Sequence, residues 1–207
     1  YTPEHLRRTT TGRNFRSTAQ ALADAHAARR LSSWELESWV DEERREVTGY
    51  LRRALRPDVQ VREPLRQLAR THRLAVVSSS ASSRVDACLE ATELADLFAT
   101  DVRFSAEDSL PAPTSKPDPA IYAFALEALA LGPDAAVAVE DSVPGVASAV
   151  AAGIATFGNL QFVLPREREA RRIELARAGA AGVFESWADL AADLSPQLSS
   201  AADPIAG

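Results

Sequence analysis

The stretch AVAVEDSVPGVASAVAAG, residues 136–153, decides the fold of this chain. Its first four residues, 136–139, are apolar on both faces, as is typical of a buried parallel strand. The residues that follow predict a helix, because Pro144 suits a first helical turn and Gly153 suits a helix end. The helix between them consists almost entirely of small residues. The stretch therefore predicts a strand that leads directly into a helix packed closely against the sheet.

Two carboxylates lie at the junction between this strand and this helix. Glu140 and Asp141 follow the strand directly, at the edge where open α/β sheets bind ligands. Either Asp141 or Ser142 can cap the helix. A purely structural alternative is an acidic helix cap, since carboxylates near a helix N-terminus are favourable without any ligand.

The chain alternates strands and helices on both sides of this stretch. Strands are predicted at 74–77, 101–104, 136–139, 154–157 and 182–184, and helices at 63–72, 84–94, 119–131, 166–178 and 187–194. Alternation of this kind is typical of the α/β class with a doubly wound, Rossmann-like parallel sheet. Residues 1–56 show no strand pattern and are predicted to be helical; Trp34 and Trp39 within them are interpreted as packing residues.

Composition excludes several classes of protein. The chain has 207 residues and a net charge of −6, which argues against nucleic-acid binding. No apolar run approaches the ~18 residues of a membrane helix. The single cysteine, Cys88, excludes an internal disulfide and a cysteine-built metal site. We expect a soluble, cytoplasmic protein with no nucleic-acid or membrane partner. Methionine is absent, so we also expect that a segment precedes Tyr1.

Two further places along the chain predict a ligand site. Ser78, Ser79 and Ser80 follow a predicted strand, although serines there can be ordinary turn residues. Lys116, the sole lysine among 23 basic residues, precedes a predicted helix. A cation at a helix N-terminus is unfavourable, but a bound phosphate reverses this because the helix amides and the ammonium group then face the same anion. The alternative is an exposed lysine without a role.

Three segments together resemble a known family. VSSS at 77–80, SKPDP at 115–119 and VEDSVPG at 139–145 are similar to motifs II, III and IV of the haloacid dehalogenase-like (HAD) superfamily. The similarity is strongest to its beta-phosphoglucomutase-like phosphatase branch. The resemblance implies a helical cap at 1–56, an α/β core at 57–195 and a flexible tail at 196–207.

The resemblance also implies roles for the residues of these motifs. Ser78 would hydrogen-bond the transferring phosphoryl group, with Ser79 and Ser80 beside it in the phosphate site. Lys116 would neutralise that group and the charge that develops during transfer, which are the main demands of phosphoryl transfer.

The same resemblance implies a metal and a substrate contact. Asp141, together with Glu140, would hold Mg²⁺ directly or through water, since that ion prefers hard oxygen ligands. Gly12 and Arg13, on the cap, would contact the remainder of a small phosphorylated metabolite.

The family's first motif, Asp-x-Asp-Gly-Thr, which supplies the nucleophile, is absent from this sequence. We therefore expect the parent protein to carry it upstream, on a strand between those predicted at 74–77 and 136–139. The resulting prediction is a Mg²⁺-dependent phosphatase, inactive as the chain stands. The alternatives are a phosphosugar mutase and a non-catalytic phosphate-binding or interaction protein. A dinucleotide-binding domain or a serine hydrolase is disfavoured, because neither Gly-x-Gly-x-x-Gly nor Gly-x-Ser-x-Gly occurs.

Overall fold

The computed structural model describes residues 10–25 and 31–194, so the predicted tail at 196–207 lies outside the described residues. The first described part is a pair of helices, α1 (Phe15–Ala25) and α2 (Ser33–Ala54). Ser32 begins α2 with a capping box: its hydroxyl accepts from Glu35 N, and the Glu35 carboxylate accepts from Ser32 N. These bonds satisfy amides that a helix start otherwise leaves unpaired.

The buried face of α2 differs from the one expected for its tryptophans. Leu36, Val40 and Thr48 are buried, and their spacing in multiples of four places them on one side of the helix. Trp34 and Trp39 lie off that face and are 79% and 56% exposed. The interpretation of both tryptophans as packing residues is therefore wrong within the described part of the chain.

Helices and parallel strands alternate through the rest of the described chain, which confirms the predicted α/β class. The helices are α3 (Val59–Leu68), α4 (Ser82–Ala91), α5 (Ala120–Leu129), α6 (Val143–Ala151), α7 (Arg168–Arg177) and α8 (Trp187–Leu194). The strands are β1 (Val76–Ser78), β2 (Arg103–Ser105), β3 (Val137–Glu140), β4 (Ala155–Asn159) and β5 (Gly182–Phe184).

The strands form two parallel sheets. In the first, β1 pairs with β2, and in the second the order is β3-β4-β5. Direct pairing of β1 with β3 would have contradicted the family arrangement, and it does not occur among the described strands. That a further strand lies between them in the complete protein stays a prediction.

The register of β3 determines where the acidic pair begins. Glu140 is the last residue of β3 and lies opposite Gly158 of β4, so the strand extends one residue beyond the predicted end at 139. Asp141 is then the first residue beyond the strand. The strand predicted at 74–77 is likewise displaced and pairs only from Val76, opposite Arg103.

Helix α6 packs closely on the sheet, as its small residues predict. Gly145, Val146, Ser148 and Ala149 are buried, and the Ser148 hydroxyl donates to the Asp118 carbonyl oxygen at 2.6 Å. The Ser142 hydroxyl caps the helix by accepting from Gly145 N at 3.1 Å. The loop between β3 and α6 is therefore held at both the sheet and the helix.

Ion pairs join α2 to the α/β part of the chain. Arg84 on α4 donates to Glu43 at 2.6 Å, and Arg44 lies 3.7 Å from both Glu107 and Asp108. Burial raises the pKa of Glu107. The proposed domain boundary near residue 56 falls between α2 and α3 and stays a prediction. Within residues 10–25 and 31–194, no helix is long and apolar enough to cross a membrane.

Candidate functional site

The structure brings the sequence-predicted site residues together in one cleft of about 560 Å³. The cleft lies at the carboxyl ends of β1 and β3, where parallel strands of α/β proteins place their ligands. The predicted residues that line it are Gly12, Arg13, Ser78, Ser79, Ser80, Lys116, Glu140 and Asp141. All of the site residues that the sequence motifs predict therefore line this one cleft.

Lys116 is buried at the base of this cleft and is only 5% exposed. Its ammonium group donates to the Val77 carbonyl oxygen at 2.8 Å and forms an ion pair with the Glu140 carboxylate. The same ammonium lies 4.9 Å from the centre of the Tyr122 ring, within the range of a cation–π contact. One lysine is therefore linked to the ends of both β1 and β3.

Glu140 is also buried, at 8% exposure, and it holds Lys116 in place. The Tyr122 hydroxyl donates to the same carboxylate oxygen that receives Lys116. Burial, followed by the charge of Glu140, raises the pKa of Tyr122 well above its ordinary value. Tyr122 was missed by sequence reasoning; the available signal was a single polar tip on the otherwise apolar start of α5.

Gly145 is what allows the Glu140 carboxylate to lie against the first turn of α6. A Cβ atom at this position would lie 1.9 Å from Glu140 Oε2, a distance that real Cβ atoms do not show. The carboxylate thereby comes close to the amides of a helix N-terminus, where negative charge is favourable. The small residue at 145 is thus required by the position of Glu140.

Asp141 differs from Glu140 in being exposed. Its position directly after β3 leaves a carboxylate at the cleft edge, while the Glu140 oxygen on Lys116 is already occupied by two donors. Among the described residues there is no group of three His, Cys, Asp or Glu that could hold a metal ion. Mg²⁺ commonly uses one or two carboxylates with substrate phosphates and water, so Asp141 fits it as a single ligand.

Ser78, the last residue of β1, and the two serines that follow it have different partners. The Ser78 hydroxyl accepts from Ser80 N at 3.1 Å, and no acceptor for its own hydrogen occurs among the described residues. The Ser79 hydroxyl donates to the Gly12 carbonyl oxygen at 2.9 Å and accepts from Lys116 N at 3.2 Å. Since a hydroxyl has one hydrogen, that of Ser79 is already used, whereas Ser78 can donate to a ligand.

The turn that carries Gly12 and Arg13 forms the rim of the cleft. Gly12 has φ +86°, and a Cβ atom there would lie 2.3 Å from Ser142 Oγ, so both its backbone and its surroundings require glycine. Arg13 is exposed and lines the cleft. Gly12 therefore packs directly against the β3–α6 loop, and Arg13 lies at the cleft beside it. That the two residues contact the outer part of a ligand stays a prediction.

Sequence reasoning missed the far wall of the cleft. This wall is formed by residues of the β4–α7 loop and its neighbours: Asn159, Phe162, Val163, Leu164, Glu167, Arg171 and Trp187. Phe162 is 72% exposed, which is unusual for a large aromatic side chain. The available signal was the position of Asn159 at the end of β4, beside the acidic pair.

Comparison with known proteins shows which family this fold and site belong to. A family model described as haloacid dehalogenase-like hydrolase matches residues 4–153. A CBBY-like protein of Arabidopsis thaliana is 42% identical over 88 residues, which are 40% of this chain and 25% of that protein. The chain thus spans a quarter of the length of the curated relative that it matches.

Two solved structures are similar over nearly the whole chain. A HAD family hydrolase from Deinococcus radiodurans, with bound phosphate and sodium, is 27% identical with a TM-score of 0.62, over 95% of this chain and 84% of that one. A candidate beta-phosphoglucomutase from Thermotoga maritima is 26% identical with a TM-score of 0.62, over 94% of this chain and 84% of that one.

The family match includes the elements that build the cleft. Residues 4–153 contain Ser78, Lys116 and Asp141 together with the strand and helix on either side of the acidic pair. The match covers well over half of the chain, and the solved relatives share its fold. The chain belongs to the haloacid dehalogenase-like hydrolase family.

Proposed function

We propose that this chain carries the phosphate-handling part of a Mg²⁺-dependent phosphoryl-transfer enzyme, a phosphatase of small phosphorylated metabolites. The observation that supports this most strongly is Lys116, a cation buried at the carboxyl ends of β1 and β3. A buried charge is costly unless it is paired, and Lys116 is paired with Glu140. A cation that is fixed in position and removed from solvent stabilises a nearby anion more strongly than one in water.

Two side chains would act on the phosphoryl group. Lys116 would neutralise its charge from the base of the cleft, with Glu140 fixing the ammonium in position. Ser78 would donate its hydroxyl hydrogen to a phosphoryl oxygen, because its bond from Ser80 N orients the oxygen and leaves the hydrogen available. Positioning and charge stabilisation are the main requirements of this reaction, and both side chains meet them.

Asp141 would be the residue of this chain that holds Mg²⁺. Its carboxylate is exposed at the cleft edge, whereas the oxygen of Glu140 nearest Lys116 already has two donors. When bound, the ion would lower the charge on the phosphoryl oxygens. Glu140 would contribute to the metal site through water, while it keeps its ion pair with Lys116.

The nucleophile would be an aspartate outside this sequence. Strand ends within the described residues offer Asp141, which we assign to the metal, and no second aspartate lines the cleft. β1 pairs only with β2 and β3 only with β4, so one edge of each strand has no partner strand among the described residues. A strand from a preceding segment would pair with both edges and carry the aspartate into the cleft beside Lys116.

The relatives are compatible with this reaction. The Deinococcus radiodurans hydrolase contains bound phosphate, and at 27% identity over 95% of this chain it is the relative on which we base the ligand class. The likeness to a candidate beta-phosphoglucomutase keeps a phosphosugar mutase as the second candidate. In either reaction the residues described above have the same roles.

The first experiment compares this chain with the chain extended by its upstream coding sequence. Both are incubated with para-nitrophenyl phosphate and with a panel of sugar phosphates in the presence of Mg²⁺. The extended protein should release phosphate and the present chain should not, because the one aspartate that lines the cleft among the described residues, Asp141, is assigned to the metal and no other is placed to form an aspartyl-phosphate. Turnover by the present chain would refute this assignment of the nucleophile.

A matched pair of variants tests the role of Lys116 in the extended protein. Lys116→Ala should lower kcat by orders of magnitude, and Lys116→Arg should also be poor, since a planar guanidinium does not fit a buried point-charge site. Arg73→Ala removes the same charge from a side chain that is 58% exposed and pairs with Asp101, outside the cleft, so this control should be neutral. Normal turnover by Lys116→Arg would contradict the proposal.

Product analysis separates the two candidate reactions. With beta-glucose 1-phosphate, a phosphatase releases inorganic phosphate and glucose, whereas a mutase produces glucose 6-phosphate with little net phosphate. If the extended protein binds phosphate but transforms none of the panel, the non-catalytic alternative is supported instead.

A further inference from the structure

The Gly12–Asn14 turn, which precedes α1, is hydrogen-bonded directly to the loop between β2 and α5 that carries Lys116. This loop is called the lysine loop below. Asn14, which is 6% exposed, donates from Nδ2 to the Thr114 carbonyl oxygen at 2.9 Å. Its backbone N–H donates to the Ser115 hydroxyl at 2.9 Å. Asn14 thus makes two bonds to the two residues that precede Lys116, although about a hundred positions separate them in the sequence.

The same side chain also begins α1. Its Oδ1 accepts from Ser17 N at 2.9 Å, which is the bond of a helix N-cap. The Ser17 hydroxyl lies 3.3 Å from the Ser115 hydroxyl and extends the contact by one turn of the helix. One amide side chain therefore uses its acceptor to start α1 and its donor to hold the lysine loop.

A second connection passes through Ser79. Its hydroxyl donates to the Gly12 carbonyl oxygen at 2.9 Å and accepts from Lys116 N at 3.2 Å. The lysine loop is therefore linked to the Gly12–Asn14 turn in two ways, through Ser79 and through the bonds of Asn14 to Thr114 and Ser115. These bonds are shielded from solvent, since both Ser79 and Asn14 are buried.

We infer that Asn14 is a positioning residue, which sets the place of the Lys116 loop according to the position of the helical pair. Its assignment rests on the proposed function only in that Lys116 serves phosphoryl transfer; the coupling itself concerns the folded chain. Asn14 does not line the cleft, so it acts through the loop and not on the ligand. A shift of the helical pair would move Thr114 and Ser115, and with them the lysine.

Substitutions can separate the two roles of the Asn14 side chain, which are to cap α1 and to hold the lysine loop. Asn14→Ser keeps an N-cap acceptor for α1 but removes the donor to Thr114. Ser115→Ala tests the connection from the side of the loop, because it removes the hydroxyl that accepts the hydrogen bond from the Asn14 backbone N–H. Ser32→Ala is the matched control: it removes the N-cap of α2 without touching the lysine loop.

The sole lysine makes a direct measurement possible. The chain is treated with a limiting amount of an amine-acetylating reagent, and modification of Lys116 is measured by peptide mass spectrometry relative to the α-amino group. Because Lys116 is 5% exposed and its ammonium is bonded to Val77 and Glu140, its acetylation requires these contacts to open, which movement of the loop promotes. Asn14→Ser should raise the relative rate roughly 2- to 12-fold, the range that corresponds to one net hydrogen bond. Ser115→Ala should raise it in the same way, and Ser32→Ala should not.

Two results would overturn the inference: an unchanged rate in Asn14→Ser and Ser115→Ala, or an equal rise in Ser32→Ala, which would indicate general loosening. If one variant does not fold, the other still decides the outcome. In the extended enzyme, Asn14→Ser should lower kcat with KM unchanged, since no ligand contact is lost. Acetylation needs no turnover, so an extended protein without phosphatase activity would refute the proposed function and leave this result standing.

Discussion

The ion pair between Lys116 and Glu140 gives the most demanding prediction about this protein. Both side chains are buried, at 5% and 8% exposure, and the Tyr122 hydroxyl donates to the same carboxylate. Lys116→Met keeps the apolar stem but removes the cation, so the Glu140 carboxylate is left in the interior without its partner. Removing one member of a buried pair costs about 3–5 kcal/mol. This is a large part of the ~5–15 kcal/mol by which a domain is stable.

A double-mutant cycle in urea measures this effect on the chain itself. Lys116→Met, Glu140→Gln and the double variant are unfolded in parallel, with circular dichroism as the signal. The double variant should be more stable than Lys116→Met, because the uncompensated charge is then gone. The control pair is Arg73 and Asp101, which lie 3.9 Å apart and are 58% and 75% exposed. Arg73→Met should cost no more than about 1 kcal/mol, as for exposed pairs generally.

Two outcomes would refute this reasoning about the buried pair. The first is a loss for Lys116→Met as small as that for Arg73→Met. The second is strict additivity in the cycle, which would mean that Lys116 and Glu140 do not interact in the folded protein.

Three further predictions concern the neighbours of this pair. Gly145→Ala should lower stability by about 1–3 kcal/mol, since its Cβ would displace the Glu140 carboxylate; an unchanged urea midpoint would contradict the contact at 1.9 Å. The pKa of Tyr122 is raised in the folded protein. Its contribution to stability is therefore fully present below the tyrosine pKa of the unfolded chain, about 10, and is lost as the pH rises further. Stability should therefore fall as the pH rises above about 10, less steeply in Tyr122→Phe but not in the control Tyr50→Phe, whose ring is 63% exposed. Asp141→Asn should weaken Mg²⁺ binding measured by calorimetry, and equal binding would remove Asp141 from the metal site.

Local chemistry explains what could be predicted along the chain. The cap of α6 by Ser142 and the end of that helix near Gly153 depend on residues within a few positions of each other, and both are observed. The bounds of β5 and α8 match their predicted ranges for the same reason. Parallel strands follow from the alternation with helices. The position of Ser78 and Asp141 at the same edge of the strands could therefore also be predicted.

Errors occurred where the decisive contacts are distant. The start of β1 at Val76 is set by its partner Arg103, which no local pattern reveals. Trp34 and Trp39 have the large apolar side chains that are typical of packing residues. Only the orientation of α2 on the rest of the chain, however, decides which face of the helix is buried.

The amino-acid sequence by itself determined the order of elements, the family and the candidate residues Ser78, Lys116 and Asp141, because motifs and helix caps are written in neighbouring positions. Only the tertiary structure decided how these residues are used. It paired Lys116 with Glu140 and made Asp141 the exposed carboxylate. It also connected the lysine loop to Asn14 across about a hundred positions of sequence. Such partners are chosen by packing and by the need to satisfy buried polar groups, which act only once the chain is folded.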